Sequence, residues 1–119
     1  MEIFCYDMML AERWAAKRPG SITLIHDSNI FADVDDRQLA AALELAAERS
    51  KALNFQYICT FNSDKLPLQE FSPGFDIGRY TRLRLTDETD DGGLLGIRLP
   101  SEATRAPKST SRSFEEART

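Results

Sequence analysis

The sequence lacks the short motifs that identify most phosphate-binding and catalytic sites. It contains no GxxxxGK[ST] loop, no GxGxxG fingerprint and no CxxC pair, and its 6 glycines are spread over turns. Glycine-rich loops bind phosphate because their backbone N–H groups converge on one anion. We therefore expect no self-sufficient phosphate site. A single histidine also argues against a serine–histidine catalytic arrangement.

Cysteines and long apolar runs are also scarce. The two cysteines, Cys5 and Cys59, stand among apolar residues without metal-ligand spacing, so we predict reduced core thiols. No apolar run approaches the about 20 residues that span a bilayer. Glu2 and Asp7 interrupt the first residues, which therefore do not resemble a signal peptide. We expect a cytoplasmic protein that has no membrane partner.

Positive charge is not in excess. The 15 Lys and Arg residues face 19 Asp and Glu residues, for a formal net charge of -4. This balance argues against a large basic surface for nucleic acid, although DNA is still possible as a partner through a local patch. The length of 119 residues suits one domain.

The spacing of apolar residues predicts that the chain opens with a helix over residues 2–17. One stripe of this helix is apolar at helical spacing, and apolar residues also occupy most of its remaining surface. A helix that is apolar on all sides is normally buried on all sides, which predicts neighbouring protein that this chain does not supply. Pro19 and Gly20 end the helix.

A strand–helix–strand unit follows. The apolar run SITLIH at 21–26 predicts a central strand, and 55–61 predicts a second strand with apolar residues at nearly every position. The helix between them, 35–53, has Asp35 as its N-cap and Asn54 as a left-handed C-cap. This α/β unit predicts two parallel strands that are covered on both faces.

The last third of the chain has weaker patterns. Apolar and polar residues alternate over 79–86, as in a β-strand. Residues 87–93 have turn composition, and 94–99 are apolar enough to form a partner strand, so we predict a C-terminal β-hairpin. From residue 100 to residue 119 the composition predicts a disordered tail.

Polar side chains follow both predicted strands, at the edge where open α/β sheets bind ligands. Asp27 follows the first strand, where a carboxylate can hold Mg²⁺ through water. A turn role for Asp27 is equally compatible with the sequence. Asp33, Asp35 and Asp36 lie just downstream, and helix capping explains at least one of them. Asn62 follows the second strand and either contacts a phosphate or caps a turn.

Two other residues invite a functional reading but are better explained by structure. His26 is the only histidine and has no second ligand at metal-site spacing, so we interpret it as structural. Alternation along a strand sends His26 and Asp27 to opposite faces. Trp14 is predicted to lie in the core.

In order, SITLIHDS, FADVDDRQ and FQYICTFNSD resemble the C-terminal lobe of a chromosome-maintenance-like ABC ATPase head. The similarity is greatest to the bacterial family called domain of unknown function 2326, whose members typically end a longer coiled-coil ATPase chain. It covers about residues 2–99. The matches are IFCYDMML to the helix after the signature motif, LIHDS to Walker B, VDDRQ to the D-loop, FQYICTFNSD to the switch strand and RLTDETDDGGLLGIRL to the closing hairpin.

The resemblance implies a partial P-loop-type fold, with residues 1–99 as the C-terminal lobe of an ATPase head. Asp27 would bind Mg²⁺, and Asp27, Asp35 and Asn62 would face ATP in a head completed by a P-loop-containing half or a homologous head. Two departures bear on catalysis. Ser28 stands at the usual position of the catalytic glutamate, and a serine is no general base at neutral pH. Asn62 stands at the switch-histidine position and cannot titrate.

Hydrolysis by this chain alone is therefore not expected, and no residue is assigned a catalytic role. Two alternatives stay open. One is a small Mg²⁺-dependent phosphotransfer or nuclease-like domain that groups Asp27, Asp33 and Asp35 around one cation. The other is a non-catalytic interaction module that docks on another chain through its exposed helix and hairpin.

Overall fold

The computed structural model of the protein describes residues 1–96. Two helices and two strands alternate along the chain: α1 (Glu2–Lys17), β1 (Thr23–Asp27), α2 (Asp36–Leu53) and β2 (Gln56–Thr60). All four belong to one compact unit, Met1–Tyr80, and a second unit starts at Thr81. The mixed α/β class predicted from the sequence is confirmed. In the part of the chain described, neither helix is long and apolar enough to cross a membrane.

The two strands form a parallel pair, as predicted. Thr23 lies opposite Gln56, and the register continues to Asp27 opposite Thr60, so both strands end at the same edge. A parallel pair needs a crossover connection, which α2 supplies. The β-branched and aromatic residues of both segments favour extended backbone.

One face of this sheet is covered and the other is bare. On the covered face His26 is buried, and Leu24, Tyr57 and Cys59 are partly buried against the helices. On the bare face Ile25 and Ile58 lie opposite each other and are 65% and 40% exposed. Within residues 1–96, α1 and α2 supply only one covering layer, so the described part of the chain does not cover both faces as predicted.

Helix α1 is also only half covered. Its buried stripe, Phe4, Met8, Ala11 and Ala15, recurs every three or four residues and packs into the core. The opposite side stays in solvent. Its large apolar residues, all at least 45% exposed, are Ile3, Tyr6, Met9, Leu10 and Trp14. The predictions that Trp14 and Cys5 lie in the core are therefore wrong, since neither residue is on the inward stripe.

Helix α2 begins and ends as its sequence predicts. The backbone N–H of Gln38 donates to Oδ1 of Asp35 at 3.0 Å, which makes Asp35 the N-cap. Asn54 ends the helix in the left-handed conformation at φ 53° and ψ 57°. An ion pair between Arg49 Nε and Glu12 Oε1, 2.6 Å apart, connects α2 to α1.

The core lies between the two helices and the covered face of the sheet. It contains ten buried apolar residues: Phe4, Met8, Ala11, Ala15, Phe31, Leu39, Ala42, Leu43, Ala46 and Phe55. The alanines allow the two helices to approach each other, and the three phenylalanines fill the space beside the sheet.

The predicted C-terminal hairpin is not formed over the described residues. No strand lies within 79–86, where a short 3-10 helix, Ile77–Arg79, is followed by irregular chain. One backbone hydrogen bond, from Thr86 N–H to the carbonyl of Gly92 at 2.9 Å, closes the expected turn. Leu83 and Leu85 are 65% and 55% exposed, and an isolated hairpin without a face to pack on is marginal. The end of the predicted partner strand, 97–99, and the predicted disordered tail, 100–119, lie outside the described residues.

The left-handed C-cap gives a direct test of the fold. Asn54→Ala should lower the free energy of unfolding by about 1 kcal/mol. Positive φ is unfavourable for alanine because of its Cβ, whereas the short polar side chain of asparagine can offset this through local hydrogen bonds. Asn54→Gly should leave it within about 0.5 kcal/mol of the parent. Urea unfolding followed by circular dichroism measures both values, with the exposed Lys51→Ala as a control inside the same helix. Equal stability of the alanine and glycine variants would contradict the cap.

Candidate functional site

Asp27 occupies the carboxyl edge of the sheet and is exposed there. Its Oδ1 accepts hydrogen bonds from the backbone N–H of Asn29 at 3.2 Å and from the hydroxyl of Ser28 at 3.3 Å. These bonds make Asp27 the N-cap of a 3-10 turn, Ser28–Phe31. The turn role that the sequence left open is therefore real. It uses one carboxylate oxygen, so the same side chain keeps an acceptor for a second partner.

The acidic residues at the start of α2 come near the same edge of the sheet as Asp27, because the chain runs from the end of β1 into α2. Asp33, Asp35 and Asp36 are all exposed. Asp35 is held by its capping bond to Gln38, as the capping interpretation expects. The topology therefore puts the helix N-terminus, with its partial positive charge, at the sheet edge that Asp27 occupies.

Asn62 lies two residues beyond the end of β2 and is exposed. Its backbone carbonyl accepts from Lys65 N–H at 3.0 Å, which forms the 3-10 turn Ser63–Lys65. Its side chain makes no capping bond to that turn. Since Asp27 and Thr60 are paired at the ends of β1 and β2, Asn62 follows β2 at the same edge of the sheet where Asp27 ends β1.

The three carboxylates that could have shared one cation are not gathered. Within residues 1–96 no group of three or more His, Cys, Asp and Glu side chains is placed to hold a metal ion. Mg²⁺ in nucleotide sites commonly takes only one or two protein carboxylates, and its other ligands are waters and phosphates. Among the described residues, this edge therefore offers the exposed carboxylate of Asp27 and not a carboxylate cluster.

On the covered face, His26 connects three elements. Its Nε2 lies 3.0 Å from Oδ2 of Asp7 on α1, and its Nδ1 lies 3.1 Å from the hydroxyl of Tyr57 on β2. When Nε2 donates to the carboxylate and Nδ1 accepts from the tyrosine hydroxyl, both ring nitrogens have a hydrogen-bond partner. Phe4 packs against both rings, with centroid distances of 5.9 Å to His26 and 6.3 Å to Tyr57.

This arrangement agrees with the structural interpretation of His26, and alternation places Asp27 on the opposite, solvent-facing side. Sequence reasoning missed both partners. The available signal was an acidic residue, Asp7, in an otherwise apolar helix segment, and a tyrosine, Tyr57, within an apolar strand. Buried polar groups need hydrogen-bond partners, so these residues were candidates for a shared network.

Burial also suppresses ionisation beside this network. Desolvation, with a smaller contribution from the charge of Asp27, raises the pKa of the Cys59 thiol from 9.0 to about 11. Desolvation likewise raises the pKa of the Tyr57 hydroxyl well above its ordinary value, and the nearby Cys59 adds to the effect. Cys59 is therefore a poor nucleophile near neutral pH, since the thiolate is the reactive form.

An open hollow of about 300 Å³ lies elsewhere, between α2 and the connection after β2. Its lining residues are Glu44, Ala47, Glu48, Ser72, Gly74, Phe75 and Tyr80. Glu44 accepts hydrogen bonds from the backbone N–H and hydroxyl of Ser72, which secures the connection to the helix. None of the residues at the carboxyl edge of the sheet contributes to this hollow.

The difference between the two thiols is testable by labelling. We expect iodoacetamide to modify the exposed Cys5 readily at pH 8 and Cys59 only slowly. A Cys5→Ser variant should therefore take up little label until urea unfolds it. Because the pKa of Cys59 is raised in the fold, the stability that it contributes is complete below pH 9.0 and is lost as the pH rises toward about 11. Equal labelling of both folded thiols, measured by mass spectrometry, would contradict the burial of Cys59.

A comparison with protein families supplies independent information. The family described as "Uncharacterised protein conserved in bacteria (DUF2326)" matches residues 1–99. The resemblance inferred from the ordered segments is thereby confirmed at the level of the family. No curated protein matches the chain, and no solved structure matches it.

Proposed function

The chain belongs to this uncharacterised bacterial family, and on that premise we propose that it is the C-terminal portion of a coiled-coil ABC-type ATPase head. In this proposal the chain provides the Walker B, D-loop and switch segments, and another polypeptide segment provides the phosphate-binding loop. It acts in the cytoplasm and hydrolyses no ATP by itself.

The bare sheet face is the single observation that carries the proposal. Parallel sheets occur almost only where helices cover both faces, because their strands are apolar on both sides. Here Ile25 and Ile58 form an apolar pair with no covering layer in the described part of the chain. In a completed head, a second layer on this face would bury Ile25 and Ile58. Additional strands from the remainder of the head would extend the two-stranded sheet.

The polar edge supplies the second line of support. Asp27 is the last residue of β1, Asp35 immediately precedes α2, and Asn62 follows β2. The topology therefore directs all three to the edge where open α/β sheets bind ligands. In a completed head we assign Asp27 to Mg²⁺ and Asn62 to a phosphate oxygen or water. Asp35 has its capping bond to make and contributes negative charge at the interface between heads.

Neither of the two residues that depart from the ATPase pattern, Ser28 and Asn62, can act as a general base at this edge. Ser28 donates its hydroxyl to Oδ1 of Asp27, and a serine hydroxyl is itself no general base at neutral pH. Asn62 can orient a water through its amide but cannot accept a proton at neutral pH. In a completed head Asp27 and Asn62 would therefore contact Mg²⁺ and ATP here, and neither Ser28 nor Asn62 would take part in proton transfer.

A complementation experiment tests this proposal. The P-loop-containing part of a related, longer head, truncated before its own Walker B strand, is mixed with this chain and Mg²⁺-ATP. We expect Mg²⁺-dependent ATP binding, measured by calorimetry, only when both parts are present. Asp27→Asn should weaken it by about tenfold or more. The control, Glu70→Gln, changes an exposed carboxylate in the connection after β2 and should have no effect.

The result can also refute the proposal. ATP hydrolysis by this chain alone that disappears in Asp27→Asn would show a self-sufficient enzyme. Failure of the two parts to associate, or ATP binding that is unchanged in Asp27→Asn, would remove the proposed role of the sheet edge.

A non-catalytic interaction module is the second candidate function, and the outer side of α1 favours it. Helix α1 exposes five large apolar side chains, and exposed apolar patches of this kind mark protein interaction sites. This surface does not involve the residues at the sheet edge. The Mg²⁺-dependent nuclease-like alternative receives no comparable support, since the required carboxylate group is not assembled in residues 1–96.

A further inference from the structure

The outer side of α1 has the pattern of a helix–helix interface. Ile3, Tyr6, Leu10 and Trp14 recur at intervals of three and four residues, so they form one stripe along the helix. Their exposed fractions are 60%, 60%, 46% and 52%. Tyrosine and tryptophan are the residues most often found at the energetic centre of protein interfaces.

Charges along one flank of this stripe have a definite polarity. Glu2 lies at the beginning of α1 and Arg13 near its end, and both are exposed. They are eleven residues apart, which is close to three whole turns, so both lie on the same flank of the stripe. They are about 16 Å apart along the axis and so cannot pair within one helix.

From this polarity we propose that the outer stripe of α1 binds the same stripe of a second copy of the chain, with the two helices antiparallel. A two-fold axis between Tyr6 and Leu10 brings Tyr6 against Leu10 of the second copy and Ile3 toward Trp14. Such an interface is isologous, so each contact occurs twice. The flank of one helix then faces the same flank of the other.

The antiparallel direction follows from the charges. It places Glu2 of each copy beside Arg13 of the other, which gives two ion pairs at the ends of the apolar stripe. In a parallel two-fold pair this flank of one helix lies on the opposite side of the interface from the same flank of the other, so Glu2 and Arg13 would gain no ion pair with each other. The polarity thus favours a second copy of this helix over an uncharged apolar partner.

This interface is separate from the surface assigned to the ATPase head. Helix α1 packs on the covered side of the sheet, where Phe4 meets His26 and Tyr57, and its outer stripe points away from that contact. Ile25 and Ile58 lie on the opposite face of the sheet. The inference therefore does not depend on the proposed function, and either one can fail alone.

Analytical ultracentrifugation of the purified chain over a wide concentration range tests the dimer. We expect a reversible monomer–dimer equilibrium. Leu10→Lys should raise its dissociation constant by about tenfold or more, because a charge replaces a central contact. Ile25→Lys, which places the same charge on the bare sheet face, should leave the constant unchanged. Thermal melting by circular dichroism checks that both variants fold. A monomer at all concentrations, or a dimer abolished only by Ile25→Lys, would overturn the proposal.

Charge reversal tests the antiparallel arrangement without altering apolar contacts. Glu2→Arg and Arg13→Glu should each weaken the homodimer several-fold, and the double variant should recover the parent affinity. The two single variants, when mixed, should form a heterodimer in preference to either homodimer, because both of its end pairs are then attractive. Failure of the double variant to recover, or absence of this preference, would rule out the antiparallel pair.

Discussion

The parallel pairing of β1 with β2 is the constraint from which the rest of the structure follows. Parallel strands must be joined by a crossover, and α2 is that crossover. The crossover fixes which face of the sheet is covered. It also fixes which edge receives the ends of both strands and the start of the helix. The two features on which the functional account depends, a bare apolar face and a polar edge, are therefore consequences of one connection.

The unit resembles half of a layered α/β domain more than a complete small domain. Its core is formed from one sheet face and the inward stripes of two helices, and His26 joins α1 to both strands of the sheet through Asp7 and Tyr57. This buried network is fully hydrogen-bonded, so it can hold α1 against the sheet while the outer surfaces stay open for partners. The apolar sheet face and the outer stripe of α1 point in different directions. Two different partners can thus occupy them at once.

Local pattern predicted the regular elements well, because the forces that define them act over a few residues. The capping of α2 by Asp35 and its left-handed end at Asn54 could be predicted from side-chain chemistry. The exposed apolar side of α1 agrees with the expectation that neighbouring protein is needed to cover this helix. The core position predicted for Trp14 is wrong, since apolar spacing identifies residues that favour burial but not the protein that buries them. Over the described residues the hairpin is not formed, and Leu83 and Leu85, which alternate with polar residues as a strand would, are exposed.

The candidate site was predicted only in part. The position of Asp27 at a strand end follows from the apolar run before it, whereas its capping of the next turn depends on loop geometry. The partners of His26, 19 and 31 residues away in sequence, are determined by packing that no local pattern encodes. The account as a whole depends on the bare sheet face being an interface. Its most direct test is to follow the methyl resonances of Ile25 and Ile58 by NMR as the P-loop-containing half is added. The account predicts that both shift and become protected from a soluble relaxation agent, while Ile3 on α1 does not. Unchanged Ile25 and Ile58 signals in a complex that does form would contradict it.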